Sequence, residues 1–519
     1  MYDCPICIFG MDNSVMRITD CVSYGCMLCS ASDNFPSTPV RGVTADSRLV
    51  EDGFLFVAVR GTKISGINFI KEAINNGAIA CIGDSVSFVH ISSLYNASLP
   101  IPYLLCDNPR EMLGRIGIEL RKGNFPKNLV AVTGTNGKTS VSHFVRQIWE
   151  HNGISAASIG TNGIHSNDRI IPLQNTTPDP CVLHEHLERL YIEGVTHVAL
   201  EASSHGLEQR RMDGLQLKAG ALTNITREHM DYHGTFTNYV SSKLRLFTHV
   251  LQQDSNVVLA PGHDVYSCFS QIANARGLRM WRYGKNIGHN KGDNMDRALV
   301  LVSSAPDGDG TVFTIEWHGY EYNFRISLAG YFQIENILCA MSLCMACGMD
   351  FISVCDAIPF LKCVHGRMEK VASGYKGGTI YVDYAHTPDG MEKALRVLRD
   401  YTTGRLFVIF GAGGDRDKGK REEMGKVACS LADVRIITDD NPRSESPASI
   451  RQDIMKGCHD SIEIGDRYEA IGYGINNIEK GDTLLIAGKG HESGQIIGST
   501  QIDFHDPSVV MEILDKKSF

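Results

Sequence analysis

Short runs of consecutive apolar residues, each closed by glycine or a polar side chain, recur along this chain between segments with helical spacing of apolar positions. Such runs, bounded by turn residues, read as strands buried on both faces. GFLFVAVRG, from Gly53 to Gly61, opens the pattern, and the chain to about Asp107 alternates short strands and helices as a small α/β domain does. A second unit begins near Lys127, where NLVAVTG reads as a buried strand, a tight turn follows, and KTSVSHFVRQIWE has helical periodicity. VTHVALE and AGALTN supply further strands, VVLA and FRISLAG an edge pair, and the stretch from about Glu335 to Met349 a closing helix. From about Lys362, TIYVDYA, LFVIFG, VRIITD and TLLIAG alternate with helical patterns. That alternation predicts a mostly parallel sheet with helices on both faces and ligands at the carboxyl ends of its strands. Residues Met1 to about Thr38 lack clear periodicity and read as a frayed extension. The predicted fold class is α/β, with a poorly ordered extension over 1–38 and domains over 39–108, 109–361 and 362–519.

A length of 519 residues suits three domains at ~150 residues each. Hydrophobic residues at 43% and charged residues at 21% are an ordinary globular balance. The net charge of −9 and the pI near 6.1 give no basic footprint, which argues against a nucleic-acid partner. The apolar stretch around Ile337 to Met349 is shorter than the ~20 residues of a bilayer span, so no membrane crossing is predicted. The 16 cysteines are scattered through apolar segments and no basic leader precedes them, so reduced thiols in a cytoplasmic protein are expected. The N-terminal group (Cys4, Cys7, Cys21, Cys26, Cys29) holds one CxxC without a second ligand pair and does not define a zinc site.

The chemistry concentrates first at Gly134-Thr135-Asn136-Gly137-Lys138-Thr139, between a predicted strand and helix. Glycines let backbone N–H groups converge on phosphate oxygens, Lys138 adds a point charge, and Thr139 can ligate magnesium. Val132 stands where the common loop has its first glycine, so this is a variant of it. A magnesium site needs an acidic partner at another strand end, and VTHVALE offers Glu201.

Nine motifs extend the picture: TGTNGKTS, NTTPDP, EASSHGLEQRR, TREHMDYHGT, HGRME, VDYAHTPDG, FGAGGDRDKGKR, DDNPRSESP and AGKGHE, in this order. Together they resemble the Mur ligases, and within them the ligases that extend a UDP-linked muramoyl dipeptide, over roughly Arg41 to Asp506. The resemblance implies a small α/β UDP-binding domain, a central P-loop ATPase domain and a Rossmann-like C-terminal domain. It also implies the reaction: ATP phosphorylates a carboxylate of UDP-N-acetylmuramoyl-L-alanyl-D-glutamate, and an amine attacks the acyl phosphate. Two anions must meet in such a step, and metal ions and cations offset their repulsion.

By resemblance, Lys138, Glu201, His229 and Lys243 are catalytic, and Gly134 to Ser140 with Asn336, Arg367 and Asp383 bind ATP. Two Mg²⁺ ions are expected, one on Thr139 and Glu201 and a second on His229 and Lys243, with Lys243 carrying CO₂ as a carbamate (N6-carboxylysine). Ser47, Asn175, Thr176, Thr177, Ser203, Gln209 and Arg211 match contacts to the UDP-linked substrate. The partners implied are this muropeptide, ATP and an amino acid, for a monomeric enzyme of cell-wall synthesis.

Asp440-Asn441-Pro442-Arg443 resembles the signature of ligases that add meso-diaminopimelate. A guanidinium can hold the second carboxylate of that amino acid with two hydrogen bonds, whereas lysine presents an ammonium there. Arg416, Gly488 and Glu492 match further contacts, with Glu492 facing the distal ammonium. Another DNPR, at Asp107 to Arg110, reads as coincidence. Departures from the family pattern are Glu228 for aspartate, Met230 for leucine and His365 for proline. Two alternatives stay open: the same ligase adding L-lysine, and a non-catalytic nucleotide-binding scaffold.

Overall fold

The computed structural model describes residues 15–30, 38–61, 64–95, 100–167, 169–262, 265–285, 287, 295–308, 310–373 and 376–516. They form two compact units, one of Met1–Lys127, Gln174–Thr196 and Ser203–Gln216, the other of Asn128–Leu173, His197–Ala202 and Leu217–Phe519.

In the first unit, Gly42–Thr44, Phe54–Val57, Ala80–Gly83 and Tyr103–Leu105 form a parallel sheet, with Met27–Ser30 antiparallel on its edge. Leu55, Val57, Ala80, Ile82 and Leu104 pack one face of it against Met112, Leu113 and Ile116 of the helix Pro109–Leu120. That helix starts where it does because the Asn108 side chain accepts from Glu111 N–H at 3.2 Å and Pro109 occupies the first turn. The second DNPR copy is therefore a helix start. The expected boundary at residue 109 moves accordingly, because the apolar face of this helix completes the N-terminal core. The helix Pro180–Ile192 joins the same unit, with Glu188 paired to Arg121 at 3.3 Å.

The expected poor order of the extension does not hold for residues 15–30. The helix Ile18–Ser23 buries Ile18 and Cys21 in that core, and Asp20 accepts from Arg17 N–H at 2.7 Å. Cys4 and Cys7 lie outside the described residues, and among the described residues no group of His, Cys, Asp or Glu is gathered as a metal site.

In the second unit the strand Asn128–Thr133 lies between His197–Glu201 and Leu217–Leu222, all parallel. The sheet continues through Asn256–Leu259 and Arg279–Gly284 into an antiparallel meander, Ala298–Asp307, Gly310–Trp317 and Tyr320–Ile326. VVLA is thus an interior strand and only FRISLAG an edge, as its uninterrupted apolar run requires once both faces are covered. The helices Lys138–His151 and Tyr331–Ala346 cover one face, and Phe144, Ile148, Trp149, Ile337 and Leu338 share its core. A second sheet places Thr483–Ala487 between Thr379–Asp383 and Leu406–Phe410, followed by Val434–Ile437 and Ile462–Glu463, all parallel. Helices bury both faces, as the alternating pattern implies.

Candidate active site

The phosphate loop forms because Gly134 and Gly137 take φ of 148° and 88°. A Cβ on Gly134 would strike Thr223 Oγ1, and one on Gly137 would strike Asn336 Oδ1, so the turn requires glycine at both places. Thr135 Oγ1 lies 2.9 Å from the Tyr239 hydroxyl, and Asn136 N–H donates to Asn224 Oδ1 at 3.0 Å. The Asn136 amide reaches Asp389 at 2.9 Å. Thr139 and Ser140 are buried in the first turn of the helix, directly after Lys138. The Lys138 ammonium donates to the carbonyls of Gly134 and Thr135, both at 2.8 Å. Burial, with Arg367 nearby, holds its pKa below the ordinary lysine value although Glu228 and Glu201 favour the charged form.

Glu201 ends its strand buried, accepting from the Thr139 hydroxyl at 3.0 Å and from Thr161 N–H and hydroxyl at 3.0 and 3.1 Å. His229 is the residue before a short helix, at φ 56°, with Nε2 3.7 Å from Glu228. Lys243 is 1% exposed and donates to Gly134 O at 2.7 Å, the same oxygen that Lys138 uses. Burial first, then the Lys138 charge, holds the Lys243 pKa well below the ordinary value. The helix carrying it ends in a π turn, Leu246–Val250. Glu228 sits among these cations: burial raises its pKa, but Lys138, His229, His386 and Lys243 outweigh that and keep it an anion.

Arg367 stacks on Tyr384 at 4.4 Å and reaches Thr139 Oγ1 at 3.5 Å. Asp383 accepts from Met368 N–H at 2.6 Å and Ala385 N–H at 2.8 Å, clamping the segment that joins the two sheets. Asn336 stays packed on Gly137.

A cavity of about 470 Å³ is lined by Glu228 and His229 together with Tyr384, Asp440, Asn441, Arg443, Gly488 and Glu492. Arg443 takes φ 51°, and its backbone is held by Ile496 O at 3.0 Å and Gly498 N–H at 2.7 Å. Its Nη1 donates to Gly414 O at 2.9 Å and fills the space that Gly413 leaves open. Gly488 has φ 114°, and a Cβ there would meet Asp440 Oδ2. Asn441 is buried and its amide donates to Glu492 at 2.8 Å, while Arg416 is exposed at the rim and Pro442 O faces Gly414.

The remaining predicted residues belong to the first unit. Thr177 Oγ1 bonds Ser203 Oγ at 3.0 Å and receives Ser203 N–H at 2.9 Å. Arg211 donates to Thr177 O at 2.6 Å and to Gln209 Oε1 at 2.8 Å. Ser47 is buried on Glu72 at 2.5 Å, Asn175 is exposed and Thr176 half-buried. Sequence reasoning missed Thr161, Glu228 as a participant, Tyr239, and Lys420, which lines the cavity and donates to His386 O at 2.9 Å. Thr161 carried a usable signal, since SIGT ends a strand as VTGT does.

A glycine-rich loop between strand and helix, with a buried acidic strand end beside it and a doubly wound domain in the same unit, is the arrangement of enzymes that use a nucleotide to activate a second substrate. Residues 39–118 match the family model described as Mur ligase family, catalytic domain. Residues 132–344 match the Mur ligase middle domain and residues 366–490 the Mur ligase glutamate ligase domain. A UDP-N-acetylmuramoyl-L-alanyl-D-glutamate–2,6-diaminopimelate ligase of Bradyrhizobium diazoefficiens is 44% identical over 475 residues, covering 92% of this chain and 95% of that one. One of Rhizobium meliloti is 43% identical, over 96% of this chain and 99% of its own length. A solved structure of a ligase of the same name superposes with a TM-score of 0.70 at 28% identity, covering 98% of this chain and 100% of that one. The chain belongs to the Mur ligase family and is an ATP-dependent ligase.

Proposed function

We propose that this ligase joins meso-2,6-diaminopimelate to the D-glutamyl carboxylate of UDP-N-acetylmuramoyl-L-alanyl-D-glutamate, in the cytoplasm, during peptidoglycan synthesis. The observation that carries the reading is one cavity lined by Glu228 and His229 together with Asp440, Asn441, Arg443 and Glu492. Phosphoryl chemistry and amino-acid recognition thereby face one space. The names of the relatives from Bradyrhizobium and Rhizobium support the same substrates. Among the described residues no helix is long and apolar enough to cross a membrane, and the described cysteines are free thiols, which agrees with a cytoplasmic site.

In this reading the loop N–H groups and Lys138 hold the ATP phosphates, the ammonium leaving the two carbonyls it now occupies. Arg367 and Asp383 fix the C-terminal side of the nucleotide. Thr177, Ser203, Gln209 and Arg211 present donors and acceptors for the muropeptide. The Arg443 guanidinium takes the distal carboxylate of the amino acid in a two-bond contact and Glu492 its ammonium.

Thr139 and Glu201 fit a magnesium ion, because a hydroxyl and a buried carboxylate 3.0 Å apart at a strand end form an all-oxygen donor pair. When bound, magnesium neutralises phosphate charge and polarises the transferred group. A second ion on His229 needs an anion at Lys243, which as an ammonium offers no lone pair. The lowered pKa makes the free amine available, and a free amine is the form that takes up CO₂ as a carbamate.

Phosphate release from ATP tests the reading. It should require the muropeptide and rise strongly when diaminopimelate is added. Release that ignores the muropeptide would leave a nucleotide hydrolase in place of the ligase.

A further inference from the structure

Lys489 lies outside every role described so far, yet its side chain is fully buried, at 0% exposure. Its ammonium donates to Gly494 O at 2.6 Å, to Asn441 Oδ1 at 3.3 Å and to Glu492 Oε2 at 3.4 Å. Three N–H bonds thus meet three acceptors. Burying an ammonium is costly unless every hydrogen finds a partner, so these contacts oppose one another's displacement.

The consequence for Asn441 is specific. Its Oδ1 already accepts from Ile496 N–H at 2.9 Å, and the Lys489 ammonium adds a second donor to the same oxygen. The amide cannot flip without placing its NH₂ against two donors. Its nitrogen therefore faces Glu492, donating to Oε2 at 2.8 Å. That oxygen receives both Asn441 and Lys489, which leaves Oε1 of Glu492 as the atom to meet a cation in the cavity.

The same ammonium braces the hairpin of Gly494–Ile497 and Thr500–Asp503 through Gly494 O. This hairpin in turn holds the backbone that presents Arg443. Gln495 donates to Asp440 O at 2.7 Å, Ile496 O accepts from Arg443 N–H at 3.0 Å, and Gly498 N–H donates to Arg443 O at 2.7 Å. One buried cation therefore touches the carboxylate side of the pocket directly and the guanidinium side through the strand.

We propose that Lys489 is a positioning residue for the amino-acid substrate: it sets the Asn441 amide and the Glu492 carboxylate, and through the hairpin the Arg443 backbone, in the geometry that receives a zwitterionic centre beside a carboxylate. The proposal rests on the ligase reading above and adds to it the group that orders its selectivity pocket. Lys489 touches neither ATP nor the muropeptide carboxylate in this account, so its loss should act on amino-acid capture alone.

Lys489→Met keeps the apolar stem and removes the ammonium. Steady-state assays at saturating ATP and muropeptide should show the KM for meso-diaminopimelate raised about 10- to 100-fold, the scale of one lost charge-assisted hydrogen bond. Formation of the acyl phosphate, trapped by borohydride reduction with no amino acid present, should stay within about twofold of the parent. Lys489→Arg, which keeps the charge but not the compact three-donor geometry, should show a smaller rise in the same KM. An unchanged KM in both variants overturns the proposal. So does an equal fall in acyl-phosphate yield and in coupling, because that marks a general lesion. Absence of acyl phosphate in the parent enzyme would strike the ligase reading itself.

Discussion

Lys243→Ala removes one of two ammonium groups that donate to a single carbonyl oxygen, that of Gly134, at 2.7 and 2.8 Å. Sharing one acceptor confines the two nitrogens to within ~5.5 Å, where an effective dielectric of about 20 gives a repulsion of about 3 kcal/mol. Glu228 offsets part of it, yet both lysines have lowered pKa values, with burial the largest cause in each. The strain is relieved if Lys243 is neutral, and it becomes an attraction if Lys243 carries a carbamate. An anion there also supplies what His229 lacks as a second magnesium site. Alanine should therefore cost turnover about 100-fold or more, the range for losing one preorganised charge at a transferring group. Formate, acetate or propionate diffusing into the space should restore part of it, whereas equal concentrations of chloride should not. The assay is phosphate release at saturating substrates, with and without each salt, alongside the parent enzyme in CO₂-depleted buffer. A Lys243→Ala enzyme at the parental rate with no carboxylate present would refute the reasoning.

Arg443→Met should lower kcat/KM for meso-diaminopimelate about 100- to 1000-fold, as two charge-assisted hydrogen bonds are lost, while the KM for ATP is unchanged in steady-state titrations. A fall of less than about threefold would place the distal carboxylate elsewhere. His184 is buried in the first unit with both ring nitrogens unpartnered, and burial, with Arg121 adding, pushes its pKa down to about 3. The unfolded chain then binds a proton below about pH 6.5 that the folded chain refuses, so this residue subtracts stability as pH falls from there towards 3. Urea unfolding of the parent against His184→Leu should show the variant gaining about 2 kcal/mol on the parent between pH 7.5 and pH 5. A difference that does not move with pH would contradict this.

Much of the centre was legible because its chemistry constrains residue type locally. Gly134 and Gly137 occupy backbone angles and close approaches that only glycine tolerates, and Lys138 follows them on the first helical turn. The strands of the two parallel sheets were equally plain, since burial on both faces demands unbroken apolar runs. The rest depends on partners far along the chain. Thr161 meets Glu201 across 40 residues, Asn136 meets Asp389 across 253, and Lys489 meets Asn441 across 48. Nothing in KGH distinguishes Lys489 from a solvated loop residue, and SIGT marks Thr161 only by its likeness to VTGT. The short helix and strand between residues 15 and 30 escaped notice for another reason. Their apolar positions are too few to show a period, and the neighbouring sheet supplies the stability they lack alone. The split of the first unit was hidden because Gln174–Thr196 and Ser203–Gln216 return to it from between strands of the other.

The identity of the amino acid is the most direct test of the account. Purified enzyme, ATP, magnesium and UDP-N-acetylmuramoyl-L-alanyl-D-glutamate should be given equal concentrations of meso-diaminopimelate and L-lysine, and the ligated product weighed by mass spectrometry. The account predicts the diaminopimelate product almost alone, because Arg443 and Glu492 face a cavity suited to a second zwitterionic end. A lysine product in equal or greater amount would contradict it.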